Sequence, residues 1–124
     1  MKAITLHQPW ATLIALGLKR YETRSWATTY RGKLAIHAGK TVIFDPRMMP
    51  IVAGALAQHG IQQANQLPVS GVLCVCEVKA VYHTEDVSPY LKAEELAFGD
   101  FTPGRAAWEL EVIEVFPQPI PAKG

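Results

Sequence analysis

The sequence predicts an α+β fold: a small, partly open β-barrel with two main helices packed on it. Three observations carry this. Alternating or β-branched runs recur along the whole chain, at Lys2 to Leu6, Tyr21 to Ser25, Lys33 to Ala38, Gly71 to Tyr82 and Trp108 to Phe116. Two of the gaps between them read as helices with identifiable ends. Long loops fill the rest, and no repeat or linker divides the chain, so its 124 residues form one domain.

The elements follow in order. After the first short strand, Pro9 suits the first position of a helix, and Leu13, Ile14 and Leu16 supply its apolar face until Gly17 ends it. The chain is then extended from Tyr21. The run from Lys33 to Ala38 alternates as a strand does, and Gly39 is expected to end it. A second helix opens at Pro46 or Pro50 and runs to about His59. The later start is preferred, because proline is tolerated only in a first turn. Gly71 to Tyr82 is apolar on both faces and reads as a strand buried on both sides. Glu85 to Phe98 is mixed and polar, with a short helix around Ala93 to Leu96. In the last strand Trp108, Leu110 and Val112 alternate with Glu109 and Glu111, and Pro117, Pro119 and Pro121 are expected to end regular pairing.

Composition excludes several classes. A hydrophobic fraction of 49% suits a globular chain with a core of its own. No apolar run reaches the roughly 18 residues of a membrane span, and the first residues turn polar too soon for a secretory signal. The cysteines of Cys74-Val75-Cys76 point the same way on a strand and read as core residues, with no second pair to complete a metal site. Together these features point to a reducing cytoplasm. The net charge of +1 hides an asymmetry. Up to Arg47 there are eight Lys or Arg against two acids; beyond it there are four against nine. The basic half can attract phosphate, or the two halves can neutralise each other across the folded surface. No P-loop, dinucleotide fingerprint or G-x-S-x-G elbow is present, and His7, His37, His59 and His83 lack metal-ligand spacing.

The most specific stretch is Gly17-Leu18-Lys19-Arg20-Tyr21-Glu22-Thr23-Arg24. It places a lysine, a carboxylate and a cation where a helix ends and an extended segment begins. Its pattern, G-x-K-x-x-E-x-R, resembles the signature of the ASCH domain, a small β-barrel related to the PUA fold. Further pieces match in the same order: Gln8-Pro9-Trp10-Ala11, Tyr30-Arg31-Gly32 with Leu34-Ala35-Ile36-His37-Ala38, and Pro103-Gly104-Arg105-Ala106-Ala107-Trp108. The resemblance spans residues 3 to 123 and implies the same barrel. Chains similar to this one continue past the Pro-Ile-Pro-x-Lys-Gly segment into a short apolar strand. Against that pattern a C-terminal strand is expected to be missing, either because the natural product is short or because the sequence is truncated.

Lys19, Glu22 and Glu77 are the catalytic candidates. Lys19 can serve the helix dipole, or it can lie at a cleft floor with a lowered pKa and act as base or nucleophile. The resemblance implies the second role, because the matching lysine is implicated in catalysis in ASCH proteins with amidohydrolase activity. Glu22 can hold that lysine, activate water or accept from a base amine; amidohydrolase members can carry threonine there. Glu77 interrupts a buried strand, where a carboxylate is costly unless paired. Amidohydrolase-like members place a catalytic glutamate on the corresponding strand.

Gln8, Trp10, Tyr21 and Trp26 are candidates to read a base by hydrogen bonding and stacking. Arg24 and Arg105 are phosphate candidates, and His37 is a second-tier site residue. Two functions from different classes follow. One is binding of single-stranded RNA or a modified nucleoside in a basic cleft at the barrel mouth. The other is metal-independent hydrolysis of an acylated cytidine or of RNA by a Lys/Glu pair in that cleft. Neither needs a cofactor, and the oligomeric state is open. A third role, in protein interaction, finds no large exposed apolar helix face in the sequence.

Overall fold

Two strands that are consecutive in the chain lie on opposite edges of one sheet, and that separation organises the molecule. A computed structural model describes residues 1 to 123. Its strands are β1 (Lys2–Gln8), β2 (Tyr21–Arg24), β3 (Lys33–Val42), β4 (Gly71–His83) and β5 (Ala106–Pro121). They form one five-stranded sheet in the order β1-β3-β4-β5-β2. β1 is parallel to β3, and the other neighbours pair antiparallel. Helices α1 (Trp10–Ala15), α2 (Pro50–Ala57), α3 (Thr84–Val87) and α4 (Ala93–Ala97) occupy the connections. The protein is α+β with a mixed, open sheet, an arrangement consistent with a small open barrel.

The link from β1 to β2 must cross the sheet, and α1 makes the crossing. It packs on β1, β3, β4 and β5. Ala11 and Ile14 enter a core with Leu34, Ile36, Cys74, Cys76 and Leu110. Leu13 faces a second cluster with Val52, Leu56 and Phe98. Each fully buried leucine, isoleucine or phenylalanine among these contributes about 1.5–3 kcal/mol. α1 has only six residues, so this packing holds it rather than propensity.

Gly17 closes the helix as the spacing predicts. Its φ is +76°, a conformation open to glycine at little cost. The Leu18 N–H donates to Leu13 O at 3.0 Å and the Gly17 N–H to Ile14 O at 2.9 Å, the paired bonds of a Schellman turn. Leu18 and Leu13 belong to the same apolar cluster. The turn reverses the chain and sends Lys19 inward.

Elsewhere the sequence expectations need three corrections. Gly39 does not end β3, which continues to Val42 through a bulge against β1. The last strand starts earlier and runs further than Trp108 to Phe116. Its prolines do not stop pairing: Val72 pairs with Ile120 and Cys74 with Val115, so Pro117 and Pro119 fall in a bulge between, while Pro121 pairs with Gly71. β2 covers only Ala106 to Glu109, so the outer side of β5 beyond Leu110 is a sheet edge, where proline's missing N–H leaves no ladder bond unmade. The later helix start at Pro50 holds. Leu73, Cys74, Val75 and Cys76 are all buried, so β4 is covered on both faces there. Among the described residues, no helix is long and apolar enough to cross a membrane.

Replacing Gly17 by alanine puts a Cβ on a left-handed residue. The substitution is expected to cost about 1–2 kcal/mol, read as a lower urea midpoint at an unchanged slope. An unmoved midpoint would show that the helix is not held by this turn.

Candidate functional site

The turn after α1 delivers Lys19 into the interior, where only 2% of it is exposed. Its ammonium donates to Tyr21 O at 2.7 Å and to Phe98 O, and Glu22 Oε1 lies 3.6 Å away. The Trp10 ring centroid is 5.7 Å from the same nitrogen. Burial lowers the Lys19 pKa from its ordinary value, and Glu22 and then Glu95 oppose that shift. Glu22 is itself buried, and its other oxygen meets Arg24 Nη1 at 3.3 Å. Lysine, glutamate and arginine therefore form a chain of alternating charge. Extended backbone over Tyr21–Arg24 turns Glu22 and Arg24 to one side, as the spacing predicts.

This chain borders a cleft of about 390 Å³. Trp10, Lys19, Glu22 and Thr23 form one wall, and Ala97, Phe98, Gly99 and Asp100 form the other. Arg24 lies over Trp26, with its guanidinium carbon 4.7 Å from that ring and 5.8 Å from Trp108. The Nε of Arg24 is buried without a partner. Trp26 is 56% exposed, so the stack lies open to solvent. Arg105 stands behind the wall: it bonds Asp100 O at 3.1 Å and Thr23 O at 3.4 Å, and its Nε lies 3.4 Å from Asp100 Oδ2. The cleft is thus of mixed charge, where the sequence suggested a basic one. Glu22 and Asp100 offset much of the positive field.

Four candidates lie elsewhere or have another task. Gln8 is fully buried; its Nε2 donates to Pro68 O at 2.7 Å and its Oε1 accepts from the Thr12 N–H at 3.0 Å. Both ends of its amide are spent on tying the start of α1 to the loop before β4. The Tyr21 ring packs with Val87, Ala107 and Phe101, and burial raises its pKa; only its backbone carbonyl serves the site. Glu77 is half-buried between core residues Cys76 and Val78, in register with Lys33 and Glu111, and does not line the Lys19 cleft. Alternation explains this: its neighbours face the core, so it faces away. His37 lines a different cavity. Lys19, Glu22 and Trp10 line the cleft itself, with Arg24 and Trp26 beside it and Arg105 bracing it.

Sequence reasoning missed Glu95. It is buried on α4, and its Oε1 accepts from both the backbone N–H and the Nε of Arg20 at 3.1 Å. Its Oε2 is buried with no partner. The pair Glu94-Glu95 was visible, but nothing local says which of the two faces inward. The Phe98 carbonyl gives no sequence signal at all. Among the described residues, no group of three or more His, Cys, Asp or Glu side chains is placed to hold a metal ion.

An open mixed sheet thus carries a lysine–glutamate–arginine run on the turn and edge strand that follow the crossing helix. The ASCH domain profile matches residues 4–120, and the chain belongs to that family. The chain is also similar to Activating signal cointegrator 1 of Mus musculus and of Homo sapiens, at 54% identity over 35 residues in each case. That stretch is 28% of this chain and 6% of each of those proteins.

Two expectations test the site. Native Lys19 holds its proton less tightly than the unfolded chain does, so between its lowered pKa and the ordinary 10.5 the unfolded state binds more protons. Stability of the wild type relative to Lys19→Met should therefore rise with pH across that window. A flat or falling difference between the two urea curves would show that burial does not weaken the charged form. Gln8→Leu leaves the Thr12 N–H and Pro68 O unpaired, which is expected to cost about 1–3 kcal/mol for each group. A urea midpoint unmoved in Gln8→Leu would show that neither bond holds the fold.

Proposed function

We propose that the cleft between α1, β2 and the segment after α4 binds RNA or a modified nucleotide. The observation that supports this most is Glu22, buried and held between Lys19 at 3.6 Å and Arg24 at 3.3 Å beside a cleft of about 390 Å³. A carboxylate fixed this way can accept from the exocyclic amine of a base. Asp100, Thr23 and the Trp10 ring supply further polar and stacking contacts. Arg24 on Trp26 suits a phosphate on one side and a second base on the exposed indole. Mixed charge on the wall and cations at the rim fit a ligand whose base enters and whose phosphates stay outside. Membership of the ASCH family points the same way.

The salt dependence should be modest. Of the cations near the motif, Lys19 is buried and Arg20 lines other cavities, so Arg24 and Arg105 are the two beside the cleft, each already sharing its charge with Glu22 or Asp100. Two phosphate contacts give a slope of log affinity against log salt of roughly −1.4, at about 0.7 per contact for a single strand. Arg24→Ala should weaken a fluorescent single-stranded RNA about tenfold, or 1.4 kcal/mol, and reduce that slope. RNA and nucleosides that fail to bind at low salt would end this reading.

A second reading, metal-independent hydrolysis of an acylated cytidine or RNA, draws on Lys19. When neutral, its two N–H groups can stay on Tyr21 O and Phe98 O, and its lone pair can take a proton from an attacking water. Glu22, rather than Glu77, is then the nearest carboxylate. Turnover of acylated cytidines or mixed RNA that survives chelator, is lost in Lys19→Ala and is not restored in Lys19→Arg would favour hydrolysis, because arginine cannot deprotonate. Binding without turnover favours the first reading.

A further inference from the structure

We propose that a second cavity, built on β1 and β3, is an anion site that takes a phosphate group. It measures about 420 Å³ and shares no lining residue with the Lys19 cleft. His7, Lys40 and Lys123 bring basic groups to it, Thr5, Thr41 and Ser70 bring hydroxyls, and among the described residues none that lines it is acidic. In a chain of net charge +1 this is a local excess of positive charge. Lysine charges together with hydroxyl and imidazole N–H donors match the several acceptor oxygens of a phosphate.

The pocket is built by specific features of the fold. The β1–β3 register jumps from Leu6↔Ala38 to Gln8↔Val42, so Gly39, Lys40 and Thr41 stand opposite His7 alone. Such a bulge re-aims side chains, and here it turns Lys40 and Thr41 to the cavity. Gly39 lets the strands approach, because a Cβ there would lie 3.0 Å from Thr5 Cγ2. Ser70 contributes from a left-handed conformation, with φ at +57°. His37 is a positioning residue. Its Nε2 bonds Ala122 O at 2.6 Å and its Nδ1 lies 3.1 Å from Thr5 Oγ1, while the Ala122 N–H donates to Ser70 O at 3.1 Å. These bonds fix the residue before Lys123 and set that lysine at the cavity.

The proposal does not rest on the reading of the Lys19 cleft. It is tested by titrating inorganic phosphate while following the imidazole resonances of His7 and His37 by NMR, with sodium chloride holding ionic strength constant. A saturable shift is expected, weaker by about tenfold in the double variant K40A/K123A. No saturable shift up to roughly tens of millimolar, or an equal shift in the variant, overturns the site. RNA anisotropy on the same variant identifies the source of the phosphate. Parallel loss of RNA and phosphate affinity assigns the site to a nucleic-acid strand; loss of phosphate affinity alone assigns it to a small phosphorylated molecule.

Discussion

The contact on which the site depends is a buried ammonium held by backbone. Lys19 donates to carbonyls of Tyr21 and Phe98, residues far apart in sequence, and so joins the edge strand β2 to the end of α4. An ammonium removed from water needs such acceptors, because an unpaired charge in the interior is far more costly than the bonds that satisfy it. Glu22 and Glu95 add the negative charge that two neutral carbonyls lack. The cleft has its shape because these partners converge on one nitrogen.

That arrangement follows from topology. β1 and β2 are joined by a short link yet lie at opposite edges, so α1 must span the sheet. The Schellman turn at Gly17 then fixes where the chain re-enters. Gln8 secures the other end of the helix, which is why a residue suited by type to reading a base is instead sealed in the fold. Side chains that look equivalent as site candidates thus divide between holding the scaffold and facing the cleft.

Charge shows the same division. The basic N-terminal half and the acidic C-terminal half meet at the site itself, where Arg20 pairs with Glu95. Beside it Arg105 and Asp100, both from the acidic half, pair with each other. Lys40 and Lys123 lie apart from these pairs, at the cavity on the β1–β3 side. A charge count along the chain sees the two halves but not which groups cancel.

The sequence by itself determined the local features and the family. Gly17, the α1 face, the buried β4 run and the later start at Pro50 were legible because each rests on short-range rules of period and backbone conformation. The spacing of Lys19, Glu22 and Arg24 was legible for the same reason: a turn and one extended step bring them together whatever surrounds them. Tertiary structure decided the rest. Only the sheet order brings Phe98 O and Glu95 to Lys19, only alternation against the core turns Glu77 away, and only the edge position of β5 lets its prolines pair. These outcomes depend on contacts between residues distant in the chain, which no local pattern encodes.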